Sequence, residues 1–125
     1  MVHVSLVPVL GVVGEQKTKP SQHSVRELRA LGLSPHILAC RSSSPLEKAT
    51  KEKLAQFCHV PPSHILSLFD VGNIWHVPLL MYDQGVLNAI FSTLGLDYNR
   101  KPDLTDWQSR AFQWDQMKEE VVRAN

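Results

Sequence analysis

Gly14-Glu15-Gln16-Lys17-Thr18-Lys19-Pro20-Ser21-Gln22-His23-Ser24-Val25 joins an apolar run, Val2 to Val13, to a helical pattern that ends near Leu31. The run alternates weakly, Val2, Val4 and Leu6 against His3 and Ser5, and is rich in β-branched residues. It reads as a strand buried on both faces. Pro8 should stop it near Val7. A polar loop that hands a strand over to a helix is where open α/β proteins bind anions and nucleotides. Lys17 and Lys19 bring point charges suited to phosphate, and Thr18, Ser21 and Gln22 bring neutral donors. By residue type alone such a stretch is also an ordinary exposed loop, and both readings stand.

Downstream, strands and helices alternate. Ser24 with Glu27 forms a capping box, which predicts a short helix with Val25, Leu28 and Leu31 on its apolar face and Gly32 just past its end. His36 to Ser42 reads as a second strand. Ser44-Pro45-Leu46-Glu47 predicts another helix start, with Ser44 as cap and Pro45 in the first turn. Leu46, Ala49, Leu54, Phe57 and Cys58 would share its inner face, with Lys48, Lys51 and Glu52 outside. Pro61-Pro62 should end that segment.

Ile65 to Phe69 is a third strand, running into the turn-like Asp70-Val71-Gly72-Asn73. Ile74 to Met81 is apolar with Pro78 inside, so a short or broken helix is expected. Val86 to Leu94 is amphipathic and closed by Gly95. Residues 97–103 form a polar linker. Thr105-Asp106-Trp107-Gln108 reads as a capping box that opens a terminal helix to about Arg123.

This order predicts βαβ units and a parallel sheet, the α/β class. Three strands make a thin parallel sheet, and such strands need neighbours and cover. The chain therefore reads as part of a larger domain. An exposed strand edge is expected, and with it association or a loose state of the isolated chain.

At 125 residues there is room for one domain. Thirteen basic and twelve acidic residues leave a net charge of +1, so no global field would draw in nucleic acid or an anionic membrane. Any anion site must be local. No apolar stretch reaches the roughly 18 residues of a membrane helix, and the N-terminus lacks the basic region of a signal peptide. Cys40 and Cys58 are too far apart for a CxxC motif and read as two reduced, buried thiols. The six histidines offer no zinc spacing. Neither G-x-x-x-x-G-K-[ST] nor G-x-G-x-x-G occurs.

In a parallel sheet, Arg41 and Ser42 at the end of the second strand, and Phe69, Asp70 and Val71 at the end of the third, share an edge with the Lys17 loop. Ligands bind at that edge. Asp70 would contact a ribose or base, or simply cap the next turn. Lys48, Lys51 and Lys53 read, by chemistry alone, as a solvated helix face. Trp107, Phe112 and Met117 on the last helix suit a partner surface.

The stretch from Gly14 to Leu28 resembles the K-T-K-P-T-Q-H-S-V segment of the CTP synthase family. The resemblance continues through Leu33 to Ser42, Lys51 to Val60, and Ile65 to Pro78, and Asn73-Ile74-Trp75-His76 resembles the plant enzymes. It covers Val2 to Leu94 strongly and the final helix more loosely.

It implies a P-loop-NTPase-like, dethiobiotin-synthetase-like fold, of which residues 1–96 would be the C-terminal part of the synthetase domain. Residues 97–125 would be the terminal helix and the start of the interdomain linker. It implies a cytoplasmic ligase that makes CTP from UTP, ATP and glutamine, acting as a homotetramer able to form filaments. Lys17, Thr18, Lys19, Pro20, Ser21, Gln22 and Lys53 would bind UTP or inhibitory CTP. Phe69, Asp70, Val71 and Arg41 would bind ATP. Ser21 stands where the family usually has Thr. Mg2+ would accompany ATP in the complete enzyme, with none held by this chain alone. The family's phosphate loop would lie before Met1 and its glutaminase domain after Asn125. The chain alone is then expected to be catalytically silent. The alternative is an interaction module for the full-length enzyme.

Overall fold

Alternation along Ile37–Ser42 builds both faces of the sheet. Leu38 and Cys40 face one apolar cluster, Ile37 and Ala39 the other, and all four are buried. The computed structural model describes residues 1–11, 14–97 and 100–124, with side chains to Lys118. Its strands are β1 (Val2–Leu6), β2 (Val9–Leu10), β3 (Glu15–Gln16), β4 (Ile37–Ser42) and β5 (Ile65–Phe69). Its helices are α1 (Lys19–Ala30), α2 (Lys48–Cys58), α3 (Val77–Asp83), α4 (Val86–Leu94) and α5 (Thr105–Ala124). One-turn 3-10 segments precede β5 (Pro62–His64) and α3 (Ile74–His76).

The main sheet is parallel, in the order β1-β4-β5, as the alternation of strands and helices predicts. On one face α1 and α2 cover it, with Val7, Val25, Leu38, Leu54, Cys58 and Ile65 in the core. On the other, α3 and α4 close over β4 and β5, with Leu66, Leu68, Val86 and Ala89 at the centre. Both thiols lie in the first cluster, fully buried and free, at the positions expected for them. Burial pushes the Cys40 thiol up to about 12 and raises that of Cys58 as well.

Several sequence expectations are corrected. β1 is not buried on both faces. Val2, Val4 and Leu6 are 50%, 65% and 61% exposed, because α3 and α4 reach only the other two strands. The apolar run beyond Pro8 is not plain loop: β2 pairs antiparallel with β3, while Val12 and Val13 lie outside the described residues. α1 begins at Lys19, five residues before the expected Ser24 cap. Pro20 is pre-set for a first turn, and the Ser24 hydroxyl bonds His3 Nε2 instead, at 2.8 Å. Gly32 does adopt the left-handed conformation past the helix end, with φ 79°.

α2 likewise starts late, at Lys48, after Glu47 in extended backbone. Its predicted cap, Ser44, is held through its carbonyl by the Ser42 hydroxyl. α2 ends at Cys58, before the prolines, where His59 takes a left-handed φ of 51°. Phe57 points outward, half exposed, and Ala49 is exposed; Thr50, Leu54 and Cys58 face inward. The broken helix around Pro78 and the helix Val86–Leu94 are as expected.

α5 opens at Thr105, but its start is fixed from outside. Asp103 Oδ1 accepts from the Thr105 N–H at 3.0 Å and from its hydroxyl at 2.6 Å. α5 docks on the turn before α3. Asp115 accepts from His76 Nε2 at 2.6 Å and from Asn73 Nδ2 at 3.1 Å, and Trp107 Nε1 donates to the Trp75 carbonyl at 2.8 Å. The Trp75 and Trp107 rings meet edge to face at 5.6 Å.

Candidate functional site

Parallel pairing sets the ends of β1, β4 and β5 side by side, with Leu6 opposite Arg41 and Ser42 opposite Phe69. Two groups of side chains stand along that edge.

The first group is built on the connection from β1 to α1. The β2–β3 hairpin folds back, and the Lys17 N–H donates to the Pro8 carbonyl at 2.8 Å. Thr18, nearly buried, precedes α1. Its carbonyl accepts the Gln22 N–H at 3.1 Å and its hydroxyl accepts Gln22 Nε2 at 3.0 Å. The first N–H groups of a helix have no partner within the helix, and no acidic side chain occupies the first turn here. Lys19 and Pro20 are exposed at that start.

Lys17 Nζ pairs with Glu15 at 2.6 Å. That hydrogen bond, with the Lys17 charge, holds the Glu15 carboxyl below the usual carboxylate range, and Lys53 adds a smaller pull in the same direction. The Lys53 charge on α2 is thus felt at the loop. Gln16 supplies the physical tie. Its amide donates to the Pro45 carbonyl at 2.7 Å and accepts the Glu47 N–H at 3.0 Å, fastening β3 to the start of α2.

Ser21 differs from its neighbours in the loop. It is fully buried, and its hydroxyl donates to the Leu6 carbonyl at 3.1 Å and accepts from the Ser5 hydroxyl at 2.7 Å. The side chain ties α1 to β1, facing the sheet. Polar Ser5 at an inward position of β1 was the available signal for this, and the sequence reading did not use it.

The second group surrounds a cavity of about 270 Å³ past the ends of β4 and β5, lined by Arg41, Phe69, Asp70, Val71, Ile74 and Val77 among others. Of the five residues named from the sequence at this edge, Arg41, Phe69, Asp70 and Val71 meet there, while Ser42 is buried with its hydroxyl on the Ser44 carbonyl. Arg41 donates to the Leu68 carbonyl at 2.6 Å and to Asp70 Oδ1 at 2.7 Å, a pair open to solvent on both sides. Asp70 is therefore an ion-pair partner rather than a free cap. The apolar wall from Val71, Ile74 and Val77 suits a flat ring, and the Arg41–Asp70 rim offers donors and acceptors. Ile74 and Val77 were missed as lining residues; the broken helix after the third strand was the signal.

Among the described residues, no group of three or more His, Cys, Asp or Glu could hold a metal ion, and no helix is long and apolar enough to cross a membrane.

The family model described as CTP synthase N-terminus matches residues 1–96. The chain is 55% identical to a CTP synthase of Dictyostelium discoideum over 105 residues, covering 84% of this chain and 18% of that protein. It is 48% identical to human CTP synthase 1 over 120 residues, 94% of this chain and 20% of the relative. A bacterial CTP synthase, from Symbiobacterium thermophilum, is 45% identical over 108 residues, 86% of this chain and 20% of the relative. The chain thus spans about a fifth of the length of these relatives. With more than half of its residues inside the family match, this chain belongs to the CTP synthase family.

Proposed function

We propose that this chain is the C-terminal part of the synthetase region of a CTP synthase, of plant type, and supplies half of its nucleotide machinery. In that reading the complete enzyme aminates UTP to CTP with ATP and glutamine, as a cytoplasmic homotetramer able to form filaments. Lys17, Lys19 and Lys53 take the phosphates of UTP or inhibitory CTP, helped by Thr18, Gln22 and the backbone N–H groups at the start of α1. Pro20 fixes the helix start. Ser21 acts through the backbone and by holding α1 to the sheet. The cavity at Arg41, Phe69, Asp70 and Val71 takes the adenine ring of ATP.

The observation that carries this reading is the tie between the loop and α2: the Gln16 amide donates to the Pro45 carbonyl at 2.7 Å and accepts the Glu47 N–H at 3.0 Å, which fastens the strand next to Lys17 to the start of the helix that bears Lys53. Phosphate would displace Glu15 as the partner of Lys17.

Magnesium would travel with ATP in the complete enzyme. The carboxylate nearest the cavity, Asp70, is held by Arg41, and the described residues hold no metal-ligating cluster. The residues present do not fit the ion. This chain by itself is catalytically silent in this reading: among the described residues, no pair of side chains at the edge forms a nucleophile and its base.

A second reading is that the chain is an interaction module for the full-length enzyme. The uncovered apolar side of β1 and the exposed Phe112, Trp114 and Met117 on α5 favour it.

Isothermal titration of UTP and CTP into the chain, beside a Lys17→Ala/Lys19→Ala variant, tests the nucleotide reading. Binding that vanishes in the variant is expected, with no CTP formed from UTP, ATP and ammonia. A folded chain that binds neither nucleotide, or a variant that binds equally well, would overturn it. Turnover by the isolated chain would overturn its silence.

A further inference from the structure

The turn that leads from β5 into α3 serves two neighbours at once. Val71, Ile74 and Val77 help wall the cavity past the ends of β4 and β5. Ile74 and Val77 share that side because positions three apart are eclipsed in a 3-10 turn. The residues between them are held by α5. Asn73 Nδ2 donates to the Ala111 carbonyl and to Asp115 Oδ1, both at 3.1 Å. The Trp75 carbonyl accepts Trp107 Nε1 at 2.8 Å, and the Gly72 carbonyl accepts Lys118 Nζ at 3.0 Å. His76 Nε2 bonds Asp115 Oδ2 at 2.6 Å. No residue of the 3-10 turn itself is buried, so its place depends on what grips it from behind.

Asp115 is the centre of that grip. One carboxylate takes Asn73 on one oxygen and His76 on the other. The His76 hydrogen bond comes first in holding the Asp115 carboxyl below the usual carboxylate range. Burial opposes it, while the Asn73 bond and the charges of His76 and Lys118 help. Asp115 therefore stays ionised at neutral pH. Among the described residues the charged partner of His76 is Asp115, and Arg41 and Asp70 pair with each other on the cavity side. Histidine is the side chain whose charge changes near neutral pH. A charged His76 makes a charge-assisted bond to Asp115, and a neutral one makes a weaker bond.

We propose that Asp115 is a positioning residue for the cavity: through it α5 holds the 71–77 turn in place as the cavity wall, and protonation of His76 tightens that hold. The inference rests on the reading of this cavity as the adenine site and adds a control to it. Docking of α5 and occupancy of the cavity are then linked, and each favours the other.

Adenosine titrated into the chain tests it, because adenosine carries the ring, needs no magnesium and has no group that titrates near neutrality. Binding should be about two- to fivefold tighter at about pH 6 than at about pH 8, the scale of one exposed charge pair. Asp115→Asn and His76→Gln keep a polar side chain and should bind equally at both pH values. Adenosine should also strengthen the circular dichroism of the coupled Trp75 and Trp107 rings in the wild type. Methyl NMR of Val71 reads the far end of the turn without ligand. Its shifts should follow the His76 titration and cease to do so in Asp115→Asn. A merely structural Asp115 would lower stability and leave the pH response of binding and of the methyls as in the wild type, which would overturn the proposal. Wild-type binding that is equal at the two pH values would overturn it as well. So would Val71 methyls that ignore the His76 titration. Absence of adenosine binding, with methyls that still follow His76 through Asp115, would overturn the adenine reading and uphold the grip of α5 on the turn.

Discussion

Gln84 and Ser67, seventeen residues apart, exchange two hydrogen bonds that finish the outer edge of β5: Ser67 N–H to Gln84 Oε1 at 2.8 Å and Gln84 Nε2 to the Ser67 carbonyl at 2.9 Å. Ser67 is nearly buried, so water is a poor substitute. Gln84 Nε2 also donates to the Leu80 carbonyl at 3.1 Å, which locks the end of α3 to the strand.

Gln84→Ala leaves a buried donor and acceptor without partners and is expected to cost about 1–3 kcal/mol. Gln84→Glu keeps the acceptor and loses the donor, so an intermediate cost is expected near neutral pH. Urea denaturation of the two variants checks the order. Equal midpoints for both variants and the wild type would show that solvent replaces the amide freely.

Ser21 gives a prediction that separates its two possible jobs. It falls within the loop that resembles a nucleotide-binding segment, yet its hydroxyl serves Leu6 and Ser5 inside the fold. Ser21→Ala is expected to lower stability by about 1–2 kcal/mol, while UTP affinity changes less than in Lys17→Ala. Denaturation and titration on the same samples check this. Loss of affinity matching that of Lys17→Ala, with an unchanged unfolding midpoint, would make the hydroxyl a ligand contact instead.

The three long strands were legible because short apolar runs bounded by turn residues leave few other readings, and their parallel order follows from the helices between them. From that order alone Arg41, Phe69, Asp70 and Val71 fall on one edge, and they do share one cavity. Helix starts were less legible. Ser24 and Ser44 have the right type and spacing for caps, but Pro20 starts α1 a turn earlier and the Ser44 hydroxyl is met by Gln16. Local pattern cannot show that a distant side chain has claimed a capping group. Gln84 illustrates the same limit: nothing near it in sequence marks it as the cap of a strand seventeen residues away. The exposure of Val2, Val4 and Leu6 was hidden for another reason. Alternation tells which residues share a face, and coverage of that face depends on how far α3 and α4 reach.

Glu15 competes with any anion for Lys17, so removing its charge should strengthen nucleotide binding. Its carboxyl is held below the usual range by the Lys17 hydrogen bond and charge. A carboxylate depressed in this way contributes its pairing above its unfolded pKa, and the contribution is lost as pH falls through the lowered folded value. At neutral pH the pair is therefore intact, and phosphate must break it. Glu15→Gln is expected to raise UTP affinity roughly two- to fivefold at low salt, the scale of one exposed ion pair. The gain should shrink as salt screens both interactions. Titration of UTP at two ionic strengths checks it; unchanged or weaker binding in the variant would place the phosphates away from Lys17.

The Cys40 thiol, raised to about 12 by burial, is expected to make the fold lose stability in alkali. Burial comes first among the causes that push it from an ordinary 9.0 up to about 12; the nearby Cys58 adds to the shift, and Lys51 opposes it. In the unfolded chain the thiol gives up its proton near 9, while in the folded chain it keeps it. Between those values deprotonation favours unfolding. Stability should therefore be complete below the unfolded pKa and fall as pH rises toward 12, by at most about 1.4 kcal/mol per pH unit from this group. Lysines and tyrosines titrate in the same range, so the comparison that isolates the thiol is Cys40→Ala, which is less stable at neutral pH but should decline less steeply above pH 9. Urea midpoints at about pH 8 and about pH 10.5 measure both slopes. Parallel slopes would mean that Cys40 ionises as readily in the folded chain as in the unfolded one, and that the packing of β4 against α1 and α2 does not exclude water from the sulfur.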